Sequence, residues 1–259
     1  MSRTDLQSAV EDHLTPGGRI GLCLDFDGTL APIVEEPTEA TLPPETRQYL
    51  EMLADNPAVD IAVISGRALE DIRSRVGIPE ISYAGNHGLE RSQDSEVWRH
   101  PVVQRRRGDL ERVCREIERK LDHIAGCFVE DKYATATVHH RQAETDDGSL
   151  VLSTVQETVE GIDGLSMTVD DQAVEIRPDV DYHKGDAVEE ILDIGSQAVV
   201  LYLGDAKTDI DAFRRLAERD DRTIQVSVGG ALPATGHHLE SPGDVEQFLG
   251  WLARLDRLN

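Results

Sequence analysis

The pattern of apolar and polar positions changes twice along the chain. In its first part, short apolar runs that fit buried strands alternate with amphipathic segments that fit helices. The predicted strands are residues 19–24, Val59 to Ile64 and Ile81 to Ala84, and the predicted helices are residues 1–14, the segment that opens at Pro43 and the segment that reaches Val76. This alternation predicts a parallel sheet with helices on both faces.

The middle of the chain has a different pattern. A long charged helix is predicted from Val102 to Ile124, and a second helix from Ser149 to Glu160. The remaining short segments alternate apolar and polar residues, as strands of a half-exposed antiparallel sheet do. These segments are Phe128–Glu130, Thr135–His139, Met167–Val169 and Ala173–Arg177. A small α/β domain is therefore expected here.

After Pro178 the first pattern returns. The predicted elements are a helix from Lys184, a strand from Ala198 to Leu203, a helix from Thr208, a strand from Thr223 to Val226 and a helix near Gln247 to Leu255. The sequence thus predicts an α/β fold with a Rossmann-like parallel-sheet core at residues 1–101 and 178–259. An α/β cap domain at residues 102–177 interrupts that core.

The composition excludes several classes of partner. The 259 residues carry a net charge of −24 with a pI near 4.6, so no binding to nucleic acid is expected. The absence of an apolar run of about 18 residues, and of a secretory signal, predicts a cytoplasmic protein without membrane contact. Acids spread along the chain, with only four lysines, suit a halophilic cytoplasm, where salt screens self-repulsion. An ordinary acidic protein is the alternative.

Residues 21–30, GLCLDFDGTL, carry the strongest chemical signal. Asp25 and Asp27 follow a buried strand, at the sheet edge where open α/β sheets place ligands. Side chains two apart point to the same side, so both carboxylates can converge on one site. A magnesium ion that in turn binds phosphate would relieve their repulsion. A simple turn or a calcium-type loop is the alternative.

Three further predicted strands end in polar residues. Ser65 follows the second strand, where its hydroxyl and the amides of Gly66 and Arg67 at a helix N-terminus could bind phosphate. Lys184 opens a helix, a position that favours an anionic partner. Asp205 and Asp209 follow a later strand and could join the acidic cluster, Asp205 as a metal ligand and Asp209 as an acceptor behind it. Helix capping and surface exposure are the competing explanations.

In this order, DFDGT, SGR, HKG and GDxxxD resemble the haloacid dehalogenase superfamily of phosphohydrolases. The resemblance implies the haloacid dehalogenase fold, with Asp25 as nucleophile and Asp27 as general acid/base. It further implies that Ser65 and Lys184 hold the phosphate. The magnesium site would be formed by Asp25, Asp27, Asp205 and Asp209.

The motifs LDFDGTLAPIVEEPTEA, AGNHGLE, VEDK, HHR, VEIRP and GDAKTDIDAF resemble the trehalose-6-phosphate phosphatase family. The resemblance implies an enzyme that releases phosphate from trehalose 6-phosphate with Mg²⁺. It places Glu130, Lys132 and Glu175 on the hydroxyls of the distal sugar, and Asn86, His87 and Arg141 near the substrate. Ala206 departs from the family pattern, since an acid stands there in GDD. A surface ion pair is the alternative for Glu130 and Lys132.

Other functions stay open at this stage. Sucrose phosphate, mannosylphosphoglycerate and glucosylglycerol phosphate are rival substrates. A phosphosugar mutase with the same core, or a sugar-phosphate sensor without catalysis, would also use these motifs. The expected protein is a monomer that acts on a small sugar phosphate, with a trehalose-phosphate synthase as its partner in the pathway.

Overall fold

The computed structural model describes residues 3–15, 17–94, 96–143, 147–170, 173–192, 194–219 and 222–255. Its helices are α1 (Arg3–His13), α2 (Pro44–Ala54), α3 (Leu69–Val76), α4 (Pro101–Leu121), α5 (Asp147–Glu160), α6 (Lys184–Ile191), α7 (Ile210–Arg219) and α8 (Pro242–Leu252). Its strands are β1 (Ile20–Leu24), β2 (Val59–Ile64), β3 (Ser82–Gly85), β4 (Glu90–Gln93), β5 (Glu96–Arg99), β6 (Phe128–Asp131), β7 (Ala136–His139), β8 (Leu165–Asp170), β9 (Ala173–Pro178), β10 (Val199–Gly204), β11 (Thr223–Val228) and β12 (His237–Leu239). No helix in these ranges is long and apolar enough to cross a membrane.

The chain forms two compact units, and the first comprises Met1–Trp98 with Tyr182–Asn259. Its sheet has the strand order β12-β11-β10-β1-β2-β3-β4-β5. The strands from β12 to β3 run parallel, and β4 pairs antiparallel with β3. All five residues of β1 are buried, as a strand covered by helices on both faces requires. One hydrophobic cluster joins this sheet to α1, α2, α3 and α8.

The second unit is Arg99–Asp181, and its sheet is antiparallel with the order β6-β7-β9-β8. Alternate residues of β9 are buried, among them Val174 and Ile176, and Val138 of the neighbouring strand β7 is buried too. These side chains share a hydrophobic cluster with α4 and α5. The helices therefore cover one face of this sheet, and the opposite face carries polar side chains. The predicted class, a mostly parallel core with an inserted α/β cap, is confirmed.

Several element boundaries differ from the sequence prediction. The last helix begins at Pro242 rather than near Gln247, because Ser241 caps it by accepting a hydrogen bond from the amide of Asp244 at 3.3 Å. A 3₁₀ turn at Lys207–Asp209 precedes α7, so that α-helix begins at Ile210 rather than Thr208. Strands β4, β5 and β12 were not predicted because they are short and partly polar. The first two residues of the predicted leading helix lie outside the described residues.

Candidate active site

The site is centred on an ion pair at the carboxyl end of β1. Asp25 directly follows that strand and is 5 % exposed, and Lys184, the first residue of α6, is 2 % exposed. The ammonium Nζ of Lys184 donates to Oδ1 of Asp25 at 2.7 Å and to Oδ1 of Asp209 at 2.8 Å. The two acids compensate the unfavourable placement of a cation at a helix N-terminus. The structure thus joins three sequence-predicted residues that lie far apart in the chain.

A third acid, Asp205, joins this cluster from the end of β10, four residues before Asp209. Carboxylate oxygens of Asp25, Asp205 and Asp209 all lie within 4.8 Å of one another. Both oxygens of Asp209 are engaged, since Oδ1 also accepts from the hydroxyl of Tyr202 at 2.8 Å and Oδ2 from the amide of Ala206 at 3.0 Å. The backbone of Ala206 therefore supports the cluster where the family pattern has an acidic side chain.

The electrostatics of the cluster leave an excess of negative charge. Burial raises the pKa of Asp25 well above its ordinary value, against the opposing effect of Lys184. Burial and the neighbouring charge of Asp209 raise the pKa of Asp205 to about 6. The pKa of Lys184 is also raised, because its two carboxylate partners outweigh its burial. Two buried carboxylates and the partly buried carboxylate of Asp205 thus face one ammonium group, an arrangement that a bound cation would stabilise.

The donor set of this cluster fits a hard divalent cation such as Mg²⁺. Its candidate ligands are carboxylate oxygens, which Mg²⁺ prefers. Oδ1 of Asp205 is buried and has no hydrogen-bond donor among the described residues, so it is available to a metal ion. A Cβ at Gly28, where φ is +79°, would lie 2.0 Å from Oδ2 of Asp205. Glycine at this position therefore lets the DFDGT loop approach the acid closely.

Asp27 occupies a different environment from Asp25. Its carboxylate is 41 % exposed and accepts two hydrogen bonds from Arg67, from Nε at 2.7 Å and from Nη2 at 2.6 Å. Among the described residues, the acids close enough together to hold a metal ion are Asp25, Asp205 and Asp209. In the structure, the Arg67 side chain therefore binds the carboxylate of Asp27. The metal-binding role of Asp27 and the substrate-binding role of Arg67 stay predictions.

The turn after β2 is held by the turn after β3. Ser65 is buried, and its Oγ accepts from the amide of Arg67 at 3.2 Å, which leaves the hydroxyl proton free to donate. The amide of Asn86 donates to the carbonyl of Arg67 at 2.7 Å, and that of His87 to the carbonyl of Ser65 at 3.0 Å. A Cβ at Gly66 would lie 2.7 Å from the ring of His87. Asn86 and His87 therefore shape the loop that carries Ser65.

The predicted helix start at this turn is wrong. α3 begins at Leu69, so the amides of Gly66 and Arg67 precede the helix rather than lie in its first turn. The amide of Arg67 is moreover occupied by Ser65 Oγ. Ser65 is accordingly not the helix cap, because the N-cap position is Ala68. A phosphate group bound by the Ser65 hydroxyl would therefore not lie in the first turn of α3.

The predicted sugar-binding residues lie on the polar face of the antiparallel sheet in the second unit. Glu130, Thr137, Glu175 and Thr168 are directly opposite one another across the four strands. Oε2 of Glu130 accepts from Nε2 of His139 at 2.8 Å, and Nζ of Lys132 lies 3.9 Å from the same oxygen. Glu130 and Glu175 thus flank Thr137 in one row of polar side chains. Arg141 is exposed in the turn after β7.

Comparison with known proteins identifies the family of the chain. The family model described as trehalose-phosphatase matches residues 23–235, which include the whole site. The chain belongs to the trehalose-phosphatase family. A trehalose-phosphate phosphatase of Mycobacterium tuberculosis is 36% identical over 238 residues, which cover 89% of this chain and 60% of that protein. Trehalose-phosphate phosphatase B of Arabidopsis thaliana is 30% identical over 256 residues, 93% of this chain and 68% of that protein.

Solved structures show the same fold. The C-terminal domain of the C. albicans trehalose-6-phosphate phosphatase superposes with a TM-score of 0.81 at 23% identity, over 98% of this chain and 97% of that one. A haloacid dehalogenase-like hydrolase from Bacteroides thetaiotaomicron has a TM-score of 0.64 at 13% identity, over 91% and 99% of the two chains. These likenesses show that the chain has the haloacid dehalogenase fold. Phosphatases with this fold generally use Mg²⁺.

Two supporting residues of the site were missed by the sequence analysis. Tyr202 is fully buried in β10, and its hydroxyl donates to Asp209. It was missed because it lies within an apolar run that otherwise indicates only a buried strand. Glu90 is buried and accepts from the side-chain amide of Asn86 at 2.7 Å. The motif AGNHGLE contains Glu90 four residues after Asn86, and this spacing was the available signal. Both residues orient groups that were predicted.

Proposed function

We propose that the chain is a magnesium-dependent phosphatase that hydrolyses trehalose 6-phosphate to trehalose and phosphate. The observation that carries this proposal is the different environment of the two motif acids. Asp25 is buried against Lys184 among other acids, whereas Asp27 is partly exposed and contacts Arg67 instead. Two carboxylates in different surroundings are suited to different roles, one as nucleophile and the other as general acid/base.

In the first step, a carboxylate oxygen of Asp25 attacks the phosphorus of the ester. The bond between phosphorus and the sugar oxygen breaks, and Asp27 gives its proton to that oxygen. An aspartyl phosphate forms on Asp25, and the sugar leaves as an alcohol. The ammonium of Lys184 and the hydroxyl of Ser65 stabilise negative charge on the phosphoryl oxygens.

In the second step, water attacks the phosphorus of the aspartyl phosphate. Asp27, now a carboxylate, takes a proton from that water, and the Asp25 carboxylate is released together with inorganic phosphate. A carboxylate nucleophile needs no activating base, so a single acid/base residue serves both half-reactions. Asp25, Asp205 and Asp209 would hold the metal ion. When bound, Mg²⁺ supplies positive charge that reduces repulsion between the phosphate and the carboxylates.

Sugar selection is proposed for the polar face of the antiparallel sheet. The row that contains Glu130, Thr137 and Glu175 presents carboxylate and hydroxyl groups at strand spacing, with Lys132 beside Glu130. Charged acceptors and donors of this kind bind sugar hydroxyls well. We propose the disaccharide's distal sugar as their ligand.

A phosphate-release screen in high salt tests the function. Trehalose 6-phosphate, sucrose phosphate, mannosylphosphoglycerate and glucosylglycerol phosphate are compared with Mg²⁺ and with chelator, and Asp25→Asn is the control for contaminating phosphatases. We expect release that depends on Mg²⁺ and is fastest from trehalose 6-phosphate. Faster release from another sugar phosphate would overturn the substrate, and an isomerised sugar phosphate without free phosphate would indicate a mutase.

The cellular location and the oligomeric state of the protein are further parts of the proposal. We propose a cytoplasmic monomer that consumes the product of a trehalose-phosphate synthase. Light scattering of the purified chain tests the monomer, and fractionation of the source cells tests the location. A dimer, or recovery outside the cytoplasm, would overturn the respective proposal.

A further inference from the structure

A chain of ion pairs extends from Asp27 along α3. Arg67 uses Nε and Nη2 to hold Asp27, and its Nη1 donates to Oδ2 of Asp71 at 2.9 Å. Both oxygens of Asp71 also accept from Nε of Arg75, at 2.9 and 2.8 Å. Asp71 therefore lies between two guanidinium groups, one of which holds the proposed acid/base residue.

Both guanidinium groups are also attached to the backbone of the segment before α2. Nη2 of Arg67 donates to the carbonyl of Pro37 at 2.8 Å. Nη1 of Arg75 donates to the carbonyls of Thr38 at 3.2 Å and Ala40 at 2.5 Å. The network thus fixes the guanidinium of Arg67 from three sides: the carboxylate of Asp27, the carboxylate of Asp71 and a backbone carbonyl.

Partial burial strengthens these contacts. The side chains of Arg67 and Arg75 are 11% and 15% exposed, and that of Asp71 is 39% exposed. Although burial alone would have the opposite effect on each group, the pKa of Arg67 is raised by Asp27 and Asp71, and the pKa of Asp71 is lowered by Arg75 and Arg67. Arg67 and Asp71 are therefore charged, and removal of Asp71 would leave two partly buried guanidinium groups with one carboxylate fewer.

We propose that Asp71 is a positioning residue for proton transfer to the leaving group. Acting through the guanidinium of Arg67, it fixes the orientation of the Asp27 carboxylate. The inference rests on the proposed function, in which Asp27 protonates the departing sugar oxygen. A purely structural role, which ties α3 to residues 37–40, is the rival explanation, and it gives no reason for an effect that depends on the leaving group.

The dependence on the leaving group separates the two roles. An alkoxide needs a proton as it departs, whereas a nitrophenolate departs readily without one. The parameter kcat/KM covers the steps up to the first cleavage of the phosphorus–oxygen bond, so it excludes the later attack of water. A misoriented Asp27 should therefore lower kcat/KM most for esters of basic alcohols and least for activated aryl esters.

The experiment measures kcat/KM for trehalose 6-phosphate and for a series of substituted phenyl phosphates, with wild type, Asp71→Asn and Glu70→Gln. Glu70 is the matched control, because it is an exposed acid in the same first turn of α3. General acid catalysis typically contributes about 10²–10⁴-fold, and loss of orientation should remove a part of it. For Asp71→Asn we expect a loss of about 10-fold with the most basic leaving groups and under about 2-fold with p-nitrophenyl phosphate. Glu70→Gln should match wild type.

A double variant tests the route through Arg67. Asp71→Asn should cause little further loss in an Arg67→Lys background, because the two residues act as one unit. Should Asp71→Asn fail to fold, Asp71→Glu can replace it, because this variant keeps the charge and displaces the carboxylate. Asp71→Glu should make kcat/KM depend on the leaving group more steeply than in wild type, but less steeply than expected for Asp71→Asn. Equal losses for all leaving groups in a folded variant would overturn the positioning role alone. Failure of wild type to release phosphate from any ester would overturn the proposed function and this inference with it.

Discussion

Replacement of Asp205 by asparagine should stabilise the metal-free protein while it weakens magnesium binding. In the structure, burial and the charge of Asp209 raise the pKa of Asp205 to about 6 from an ordinary value of 3.8. At 1.36 kcal/mol for each pH unit, this difference corresponds to about 3 kcal/mol of destabilisation when Asp205 is ionised. Because the side chain is partly exposed, we expect about 2 kcal/mol in practice.

The raised pKa of Asp205 determines how the stability of the protein changes with pH. Since the folded-state pKa lies above the unfolded value, the folded protein binds the proton more tightly. The stability of the metal-free wild type should therefore fall as the pH rises from about 4 to about 6, and it should stay low above that range. Asp205→Asn removes the ionised group, so its advantage should be full at pH 8 and absent at pH 4.

Thermal unfolding in chelator and in Mg²⁺ measures both effects. About 2 kcal/mol corresponds to a rise in Tm of about 4–8 °C for a chain of this size. The matched control is Asp211→Asn, which removes an equal charge from an exposed acid at the start of α7 and should change Tm little. Mg²⁺ should raise the Tm of wild type and of the control, but that of Asp205→Asn much less. A lower Tm of Asp205→Asn in chelator at pH 8 would show that the ionised carboxylate does not destabilise the fold. An unchanged response to Mg²⁺ would show that Asp205 does not bind the ion.

Three further predictions concern the reaction itself. Asp27→Asn should lower turnover of trehalose 6-phosphate by about 10²–10⁴-fold without loss of the fold, and steady-state phosphate release with circular dichroism checks this. Gly28→Ala should weaken magnesium activation, because its Cβ would collide with Asp205; titration of activity with Mg²⁺ measures it, and an unchanged midpoint would count against the assigned cluster. Glu130→Ala and Glu175→Ala should each reduce kcat/KM for trehalose 6-phosphate by about 10²-fold and spare a small aryl phosphate, because a wrong or absent sugar contact leaves polar groups unpaired. Parallel losses with both substrates would show that these two acids are structural.

The fold was predictable because the core strands are nearly continuous apolar runs. Val59–Ile64 was predicted at its observed limits, and β1 and β10 within one residue at either end. Such strands are covered on both faces, so their sequences carry the signal of burial without ambiguity. The edge strands β4, β5 and β12 are short and include polar residues, and pairing with a neighbour, which no local pattern encodes, determines their structure.

The site could be predicted only for polar residues that lie just after the end of a predicted strand or at the start of a predicted helix. Asp25 and Asp209 meet because they follow β1 and β10, two neighbouring parallel strands whose carboxyl ends lie at one sheet edge. Lys184 reaches both acids from the start of α6. The orientation of side chains was not accessible in this way. Asp27 was expected to converge with Asp25, but it contacts Arg67, and the period of two residues that suggested convergence ends where the strand ends at Leu24.

The proposed mechanism requires that Asp25 is the nucleophile of a magnesium-dependent phosphatase that acts on trehalose 6-phosphate. The most direct measurement is phosphate release from this ester by wild type and by Asp25→Asn, each with Mg²⁺ and with chelator, after circular dichroism has shown that both are folded. We expect release by wild type with Mg²⁺, and none by wild type in chelator or by Asp25→Asn in either condition. Substantial release by Asp25→Asn, or equal release by wild type in chelator, would contradict this mechanism.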